Sequence, residues 1–175
     1  CEAARGELGG ERTQGRPPRS VMMNAARLQV GVEGVGIAER AYQQALAYAR
    51  DRRQGRSVWT GESAAPIFDH PDVRRSLALM KARIEAARGI CLMTGVLADQ
   101  ARLAADEAVR TGARARQELL TPIAKAWSTD MGVEVASMGM QIHGGMGFIE
   151  ETGAAQHYRD ARIAPIYEGA NGVQA

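Results

Sequence analysis

An all-α fold, an antiparallel helical bundle, is predicted for this 175-residue chain by three features. First, 45% of the residues are hydrophobic but only 5% are aromatic, so alanine, leucine and methionine fill the interior and favour helices over strands. Second, apolar residues recur three and four apart over long stretches, the period of a helix with one buried face. Third, glycine and proline gather between those stretches, where helices stop. The length is that of one domain able to bury a core.

Residues 1–19 hold four glycines, the adjacent Pro17 and Pro18 and scattered arginines without helical or strand period, and a connector is expected over residues 1–20. From residue 21 to 53, Leu28, Val32, Val35, Tyr42, Leu46 and Ala49 mark one helical face, and Gln29, Glu33, Arg40 and Gln43 another. Gly31, Gly34 and Gly36 within this helix each cost up to about 1 kcal/mol against alanine, which points to close approach by a neighbour. Their order is not that of a dinucleotide-binding fingerprint, and no strand precedes them. Gly55, Ser57, Gly61, Ser63 and Pro66 make residues 54–69 a loop, and His70-Pro71 opens what reads as the longest helix. Its seam is Val73, Leu77, Met80, Ile84, Ala87, Cys91, Thr94, Ala98 and Ala101, spaced as in helices packed nearly antiparallel. Cys91 on that seam reads as a small buried hydrophobe.

Thr111-Gly112 is expected to break the pattern, and Thr121-Pro122 to restart it, with threonine as N-cap and proline in the first turn. The next helix carries Ile123, Trp127, Met131, Val135, Met138 and Ile142 on its buried stripe, with Asp130 and Glu134 outside. Gly144, Gly145 and Gly147 then end it, and residues 152–162 read as a short helix with Ala155, Tyr158 and Ile163 inward.

The net charge of +2 arises from 22 basic and 20 acidic residues spread along the chain, so no footprint for nucleic acid or an anionic membrane is evident. No apolar run reaches the eighteen or so residues of a membrane span. Two cysteines, Cys1 and Cys91, give no disulfide framework, which suits a reducing cytoplasm. His70, His143 and His157 lack zinc-site spacing, so no metal is expected, and the 144–147 turn lacks the lysine and hydroxyl residue of a P-loop. Glu168, between Tyr167 and Gly169, belongs to a segment with neither helical nor strand period and is a candidate site acid.

Three blocks near the end of the chain carry a resemblance. Gln141-Ile142-His143-Gly144-Gly145-Met146-Gly147-Phe148, then Tyr158-Arg159-Asp160-Ala161-Arg162-Ile163, then Ile166-Tyr167-Glu168-Gly169 ending in Gly172-Val173-Gln174, resemble in order and spacing the C-terminal signature of the acyl-CoA dehydrogenases. The resemblance implies that residues 21–175 form that family's C-terminal helical bundle, truncated at its end and lacking the upstream domains. It implies FAD as cofactor, an acyl-CoA substrate, an electron-transfer acceptor and a homo-oligomer. Glu168 is the implied base that removes the α-proton of a fatty acyl-CoA while FAD takes the β-hydride.

By the same resemblance Arg52 and Gln54, in Arg50-Asp51-Arg52-Arg53-Gln54-Gly55, contact the flavin nucleotide, and Arg52 pairs with its pyrophosphate. A guanidinium suits that task, since its planar donors match phosphate oxygens. Gln141, Gly144 and Gly145 inherit contact with the adenosine half of FAD held by a neighbouring subunit, and Ala170 and Gly172 further flavin contacts. Asn24 and Arg27 line the acyl-CoA channel, with Tyr167 and Gly169 beside the base. Ala26 stands where some branches keep their catalytic glutamate and cannot take a proton. Ala170 replaces a usual threonine, Gly55 a common phenylalanine, and residues 12–19 depart from the usual lead-in. The loop from Ser57 through His70 resembles a bacterial long-chain branch. Two other readings stay open: a helical interaction module that has lost the chemistry, and an acyl-CoA oxidase.

Overall fold

The computed structural model describes residues 16–174 together with Ala3 and Arg5. The regular elements of the described chain are all helical: α1 (Arg16–Asp51), α2 (Pro71–Leu103), α3 (Glu107–His143), α4 (Gly145–Phe148), α5 (Ala154–Ala161) and α6 (Asn171–Gln174), with 3₁₀ turns at Ile67–Asp69 and Glu150–Thr152. Among the described residues no helix is long and apolar enough to cross a membrane.

The long helices run up, down, up. α2 is antiparallel to both neighbours, because Lys81 and Arg88 meet Tyr42 and Glu39 of α1, and Arg83 and Cys91 meet Glu134 and Ser128 of α3, each pair in descending order. α1 and α3 lie parallel, since Gly31, Gly34 and Ala41 meet Ala124, Ser128 and Gly139 in ascending order. The core joins Val35, Ala38, Ala45 and Ala49 to Met80, Ile84, Ala87 and Cys91 and to Met131, Val135 and Ile142. Backbones approach closely along the α1–α3 seam: a methyl group on Gly34 would lie 2.7 Å from the Ser128 carbonyl oxygen. Two of the three glycines singled out in α1 therefore mark a helix crossing, whereas Gly36 faces open space.

Several boundaries move from their expected places. α1 begins at Arg16, inside the stretch expected as connector, because a first helical turn has N–H groups without partners and Pro17 and Pro18 lose nothing there. At 33 residues α2 is shorter than α1, at 36, and α3, at 37. On its seam Leu97 is buried where Ala98 was expected.

α3 starts 14 residues before the expected Thr121 cap, at Glu107. Its N-cap is Asp106, whose carboxylate accepts from the Ala108 N–H at 2.7 Å. Gly112 sits in open space within the helix, a tolerable cost of about 1 kcal/mol in so long an element. Pro122 lies in the helix interior, and Thr121 is no cap: its hydroxyl donates to the Gln117 carbonyl at 2.7 Å.

Four expected core positions are exposed: Val32 (52%), Ile123 (44%), Trp127 (38%) and Ile163 (50%). The face of α3 that packs is instead Thr121, Ala124, Lys125, Ser128, Thr129 and Gly132 in its first half. Cys91 is buried as expected, within 3.4 Å of the Ser128 hydroxyl, and burial raises its thiol pKa.

Candidate functional site

The expected site residues gather in two places, at opposite ends of the parallel α1–α3 pair. At one end, α1 supplies Asn24 and Arg27, and the segment after α5 returns with Tyr167, Glu168 and Gly169. Arg27 donates to the Asn24 side chain at 3.0 Å and, more weakly, to the Glu168 carbonyl at 3.4 Å. Glu168 has φ +55° and Gly169 φ +97°, two consecutive residues in the left-handed region that side chains other than hydrogen disfavour.

Among the described residues the half-buried Glu168 carboxylate enters no hydrogen bond or ion pair, and the Glu168 N–H no hydrogen bond. Tyr167 donates its phenol proton to Glu33, and that bond to a carboxylate, more than burial, pushes the phenol pKa up to about 12. Asn24 also lines an open cavity of about 630 Å³ with Ala98, Arg102, Arg114 and Thr121.

Two residues of this end were missed by apolar periodicity. Lys125, 1% exposed, reaches the Gly169 carbonyl and the Asn171 side-chain oxygen, each at 2.8 Å. Desolvation lowers its pKa, while the Asp130 and Glu168 carboxylates act the other way. Asn171 in turn directs its amide at the Ala126 carbonyl (3.1 Å), the Thr129 hydroxyl (2.9 Å) and the Asp130 carboxylate (2.9 Å). Ala170 and Gly172 flank this asparagine and are exposed.

At the other end a groove of about 460 Å³ is lined by Tyr48, Arg52, Gln54, Ile67, Gln141, Ile142, His143, Gly144, Gly145 and Met146. It unites five expected cofactor residues from three parts of the chain: the end of α1, the following loop and the end of α3. Arg52 is exposed, reaches the Gln54 amide oxygen at 3.5 Å and has no carboxylate partner among the described residues. Gly144, at φ +61°, ends α3, and Gly147 packs so tightly that a methyl group there would lie 2.2 Å from the Met140 carbonyl oxygen.

His143 is buried, donates from Nδ1 to the Gly139 carbonyl at 2.7 Å and stacks on Tyr48 with ring centroids 4.4 Å apart. Its Nδ1–H leaves Nε2 as the acceptor. The other two histidines are tied to glutamines, His70 to the Gln54 carbonyl and His157 to the Gln44 side chain, each at 2.8 Å.

The family model described as "Acyl-CoA dehydrogenase, C-terminal domain" matches residues 14–175. The chain is 54% identical over 173 residues to the 3-methylmercaptopropionyl-CoA dehydrogenase of Ruegeria pomeroyi, covering 98% of this chain and 29% of that protein. Among solved structures it is similar to the butyryl-CoA dehydrogenase of Megasphaera elsdenii, with TM-score 0.72 and 32% identity over 94% of this chain and 38% of that one. It is also similar to an acyl-CoA dehydrogenase of Bacillus anthracis complexed with FAD, with TM-score 0.74 and 28% identity over 89% of this chain and 26% of that one. The chain thus spans less than two fifths of the length of each of these relatives.

Proposed function

This chain belongs to the acyl-CoA dehydrogenase family, as its C-terminal domain, and on that premise we propose that it forms one wall of the active site of an FAD-dependent enzyme that α,β-dehydrogenates acyl-CoA thioesters. The observation that carries the proposal is Glu168, held in a left-handed turn with a carboxylate free of hydrogen bonds and ion pairs among the described residues, against the Asn24–Arg27 pair. An acid available to the proton of a substrate needs such freedom, and a strained backbone at one residue is characteristic of a site that fixes a side chain.

In this reading Glu168 takes the α-proton of the thioester. Its N–H, which makes no hydrogen bond among the described residues, is suited to the thioester oxygen, on which negative charge develops as the proton leaves. Bound FAD supplies the acceptor for the hydride that departs from the β-carbon. The donor set of the groove fits a pyrophosphate-bearing cofactor: a guanidinium at Arg52 without a carboxylate partner among the described residues, the amides of Gln54 and Gln141, and glycine backbone at Gly144 and Gly145 with nothing within 4 Å of where a side chain would stand. Exposed Leu92, Met93 and Val96 on α2, with Ile123 and Trp127 on α3, support packing against further protein, either another part of the enzyme or a second subunit. An external electron carrier would be needed to reoxidise a flavin held there.

Glu168→Gln in the complete enzyme tests the assignment, because the amide keeps the shape and loses the basicity. Flavin bleaching by excess acyl-CoA is expected to stop while FAD and acyl-CoA still bind. Bleaching at a comparable rate transfers the role of base to another residue and refutes the proposal. The substrate panel runs from linear fatty acyl-CoAs to 3-methylmercaptopropionyl-CoA, the compound in the name of the 54%-identical relative.

A further inference from the structure

The turn that carries Glu168 is held from two sides. Glu168 at φ +55° lies in a region that side chains disfavour, so the conformation persists only where the surroundings over-determine it. α1 contributes two restraints, from Arg27 to the Glu168 carbonyl at 3.4 Å and from Glu33, which accepts the phenol proton of the adjoining Tyr167. α3 contributes the stronger set: the Lys125 ammonium on the Gly169 carbonyl and on Asn171, and Asn171 on Ala126, Thr129 and Asp130. The Asn171 backbone N–H closes the loop on the Pro165 carbonyl at 3.0 Å.

Lys125 is costly where it sits. Burying an ammonium carries a desolvation penalty that neutral oxygens offset only in part, and among the described residues no carboxylate lies within ion-pair distance of it. If filling space were the only requirement, an apolar side chain of similar length would serve with less penalty. What an apolar side chain cannot supply is a pair of directed donors, and they point at the residues one and three positions after the candidate base.

We propose that Lys125 is a positioning residue for proton abstraction: through the Gly169 carbonyl and the Asn171 side chain it fixes the 168–171 turn, and so the direction of the Glu168 carboxylate. The inference rests on Glu168 being the base. A base misdirected by an ångström loses rate while binding persists, so the signature is a fall in kcat with little change in KM.

The test uses the complete FAD-loaded enzyme with Lys125→Met, which keeps the stem, and Asn171→Ala, which removes a half-buried partner without opening the core. Each is expected to slow flavin bleaching by saturating acyl-CoA on the order of 10²-fold. FAD content and the acyl-CoA concentration for half-maximal rate should hold. The double variant should be no slower than the worse single one, because the two side chains act as one unit. Amide hydrogen exchange, read without turnover, should accelerate on the order of tenfold over residues 168–172 and stay unchanged in the rest of α3.

Unchanged exchange in Lys125→Met overturns the clamp itself. Loss of FAD or of helicity along with rate, or losses that multiply in the double variant, overturn the positioning role in favour of a general structural one. Accelerated exchange with undiminished bleaching separates the clamp from catalysis and likewise refutes the proposal. If exchange responds as expected but the unsubstituted enzyme is bleached by no acyl-CoA, the role of Glu168 is what has failed, and that of Lys125 falls with it.

Discussion

Replacing Gly34 by alanine tests the helix crossing on which both ends of the site depend. The new methyl group would stand 2.7 Å from the Ser128 carbonyl oxygen, 3.0 Å from its carbon and 3.1 Å from the Thr129 α-carbon, all of them backbone atoms. Ordinary contact begins near 3.4 Å, so α1 and α3 must part by about 0.7 Å along a seam that is otherwise close-packed. Overpacking of this kind costs about 1 to 3 kcal/mol, against a gain of up to about 1 kcal/mol from the better helix propensity of alanine. The net expectation is a loss of about 1 to 2 kcal/mol.

Gly36→Ala, two residues on, is the internal control. It gains the same propensity, meets nothing within 4 Å, and should stabilise the chain by about 0.5 to 1 kcal/mol. Urea unfolding followed by far-UV circular dichroism reads both, and the two midpoints should move in opposite directions at a common slope. The reasoning is refuted if Gly34→Ala is as stable as Gly36→Ala, since that would mean the two helices yield freely where they cross. Because Arg27 and Lys125 approach the Glu168 turn from these two helices, Gly34→Ala in the complete enzyme should also slow flavin bleaching, whereas Gly36→Ala should not.

Ala170→Thr restores a hydroxyl next to Gly169 and should tighten FAD binding to the complete apo-enzyme by about 0.5 to 1.5 kcal/mol, the worth of one hydrogen bond; unchanged affinity in a titration shows that the exposed site has adapted to alanine. Ultraviolet titration should find the Tyr167 phenol ionising near 12, and Glu33→Gln should bring it back toward the usual value of about 10. Its folded pKa is raised, so the Tyr167–Glu33 bond contributes stability that is complete below about pH 10 and is lost as pH rises through about 12. The 175-residue chain by itself is expected to be helical, colourless and self-associating, and purification with stoichiometric FAD would contradict the one-wall reading.

The fold class was legible because three long segments keep one period, and α2 was the most legible of them: seven of its eight buried residues lie on the expected seam. α3 misled for a physical reason. Its packed face carries the correct three-and-four spacing, but in Thr121, Ala124, Lys125, Ser128, Thr129 and Gly132, small or polar residues that a search for apolar stripes passes over in favour of Ile123 and Trp127. Small residues there are the counterpart of Gly31 and Gly34, since two backbones that approach closely leave no room for large side chains. Reading one seam as glycine-rich called for an equally small seam opposite it.

The same misreading hid Lys125, which sits in the middle of that face. Asp106-Glu107 was an available N-terminal signal, outweighed by Thr121-Pro122. In the site, the motif residues around Arg52 and Gly144 and around Arg27 and Glu168 do assemble in space, though neither cluster could be derived from periodicity, which describes one helix at a time. Lys125 and Asn171 belong to no motif; what marks them is burial and hydrogen bonding, which exist only once the chain is folded.

The parallel pairing of α1 and α3 has a metric consequence. On α3, Lys125 and Gln141 are separated by 16 residues, about 24 Å of helix at 1.5 Å per residue, and on α1 the stretch from Arg27 to Asp51, next to Arg52, is 24 residues, about 36 Å. The pair therefore acts as a double-edged ruler, with the proton-handling turn at one mark and the nucleotide groove at another, and the glycine seam keeps the two scales from sliding. One residue inserted in either edge would advance that scale by a single step and swing everything beyond it by about 100°, so the two marks would no longer face the same molecule. Insertions are expected to be tolerated best in segments outside both marks, such as residues 56–64 and 149–153, where added length leaves the distance that the cofactor has to span unchanged.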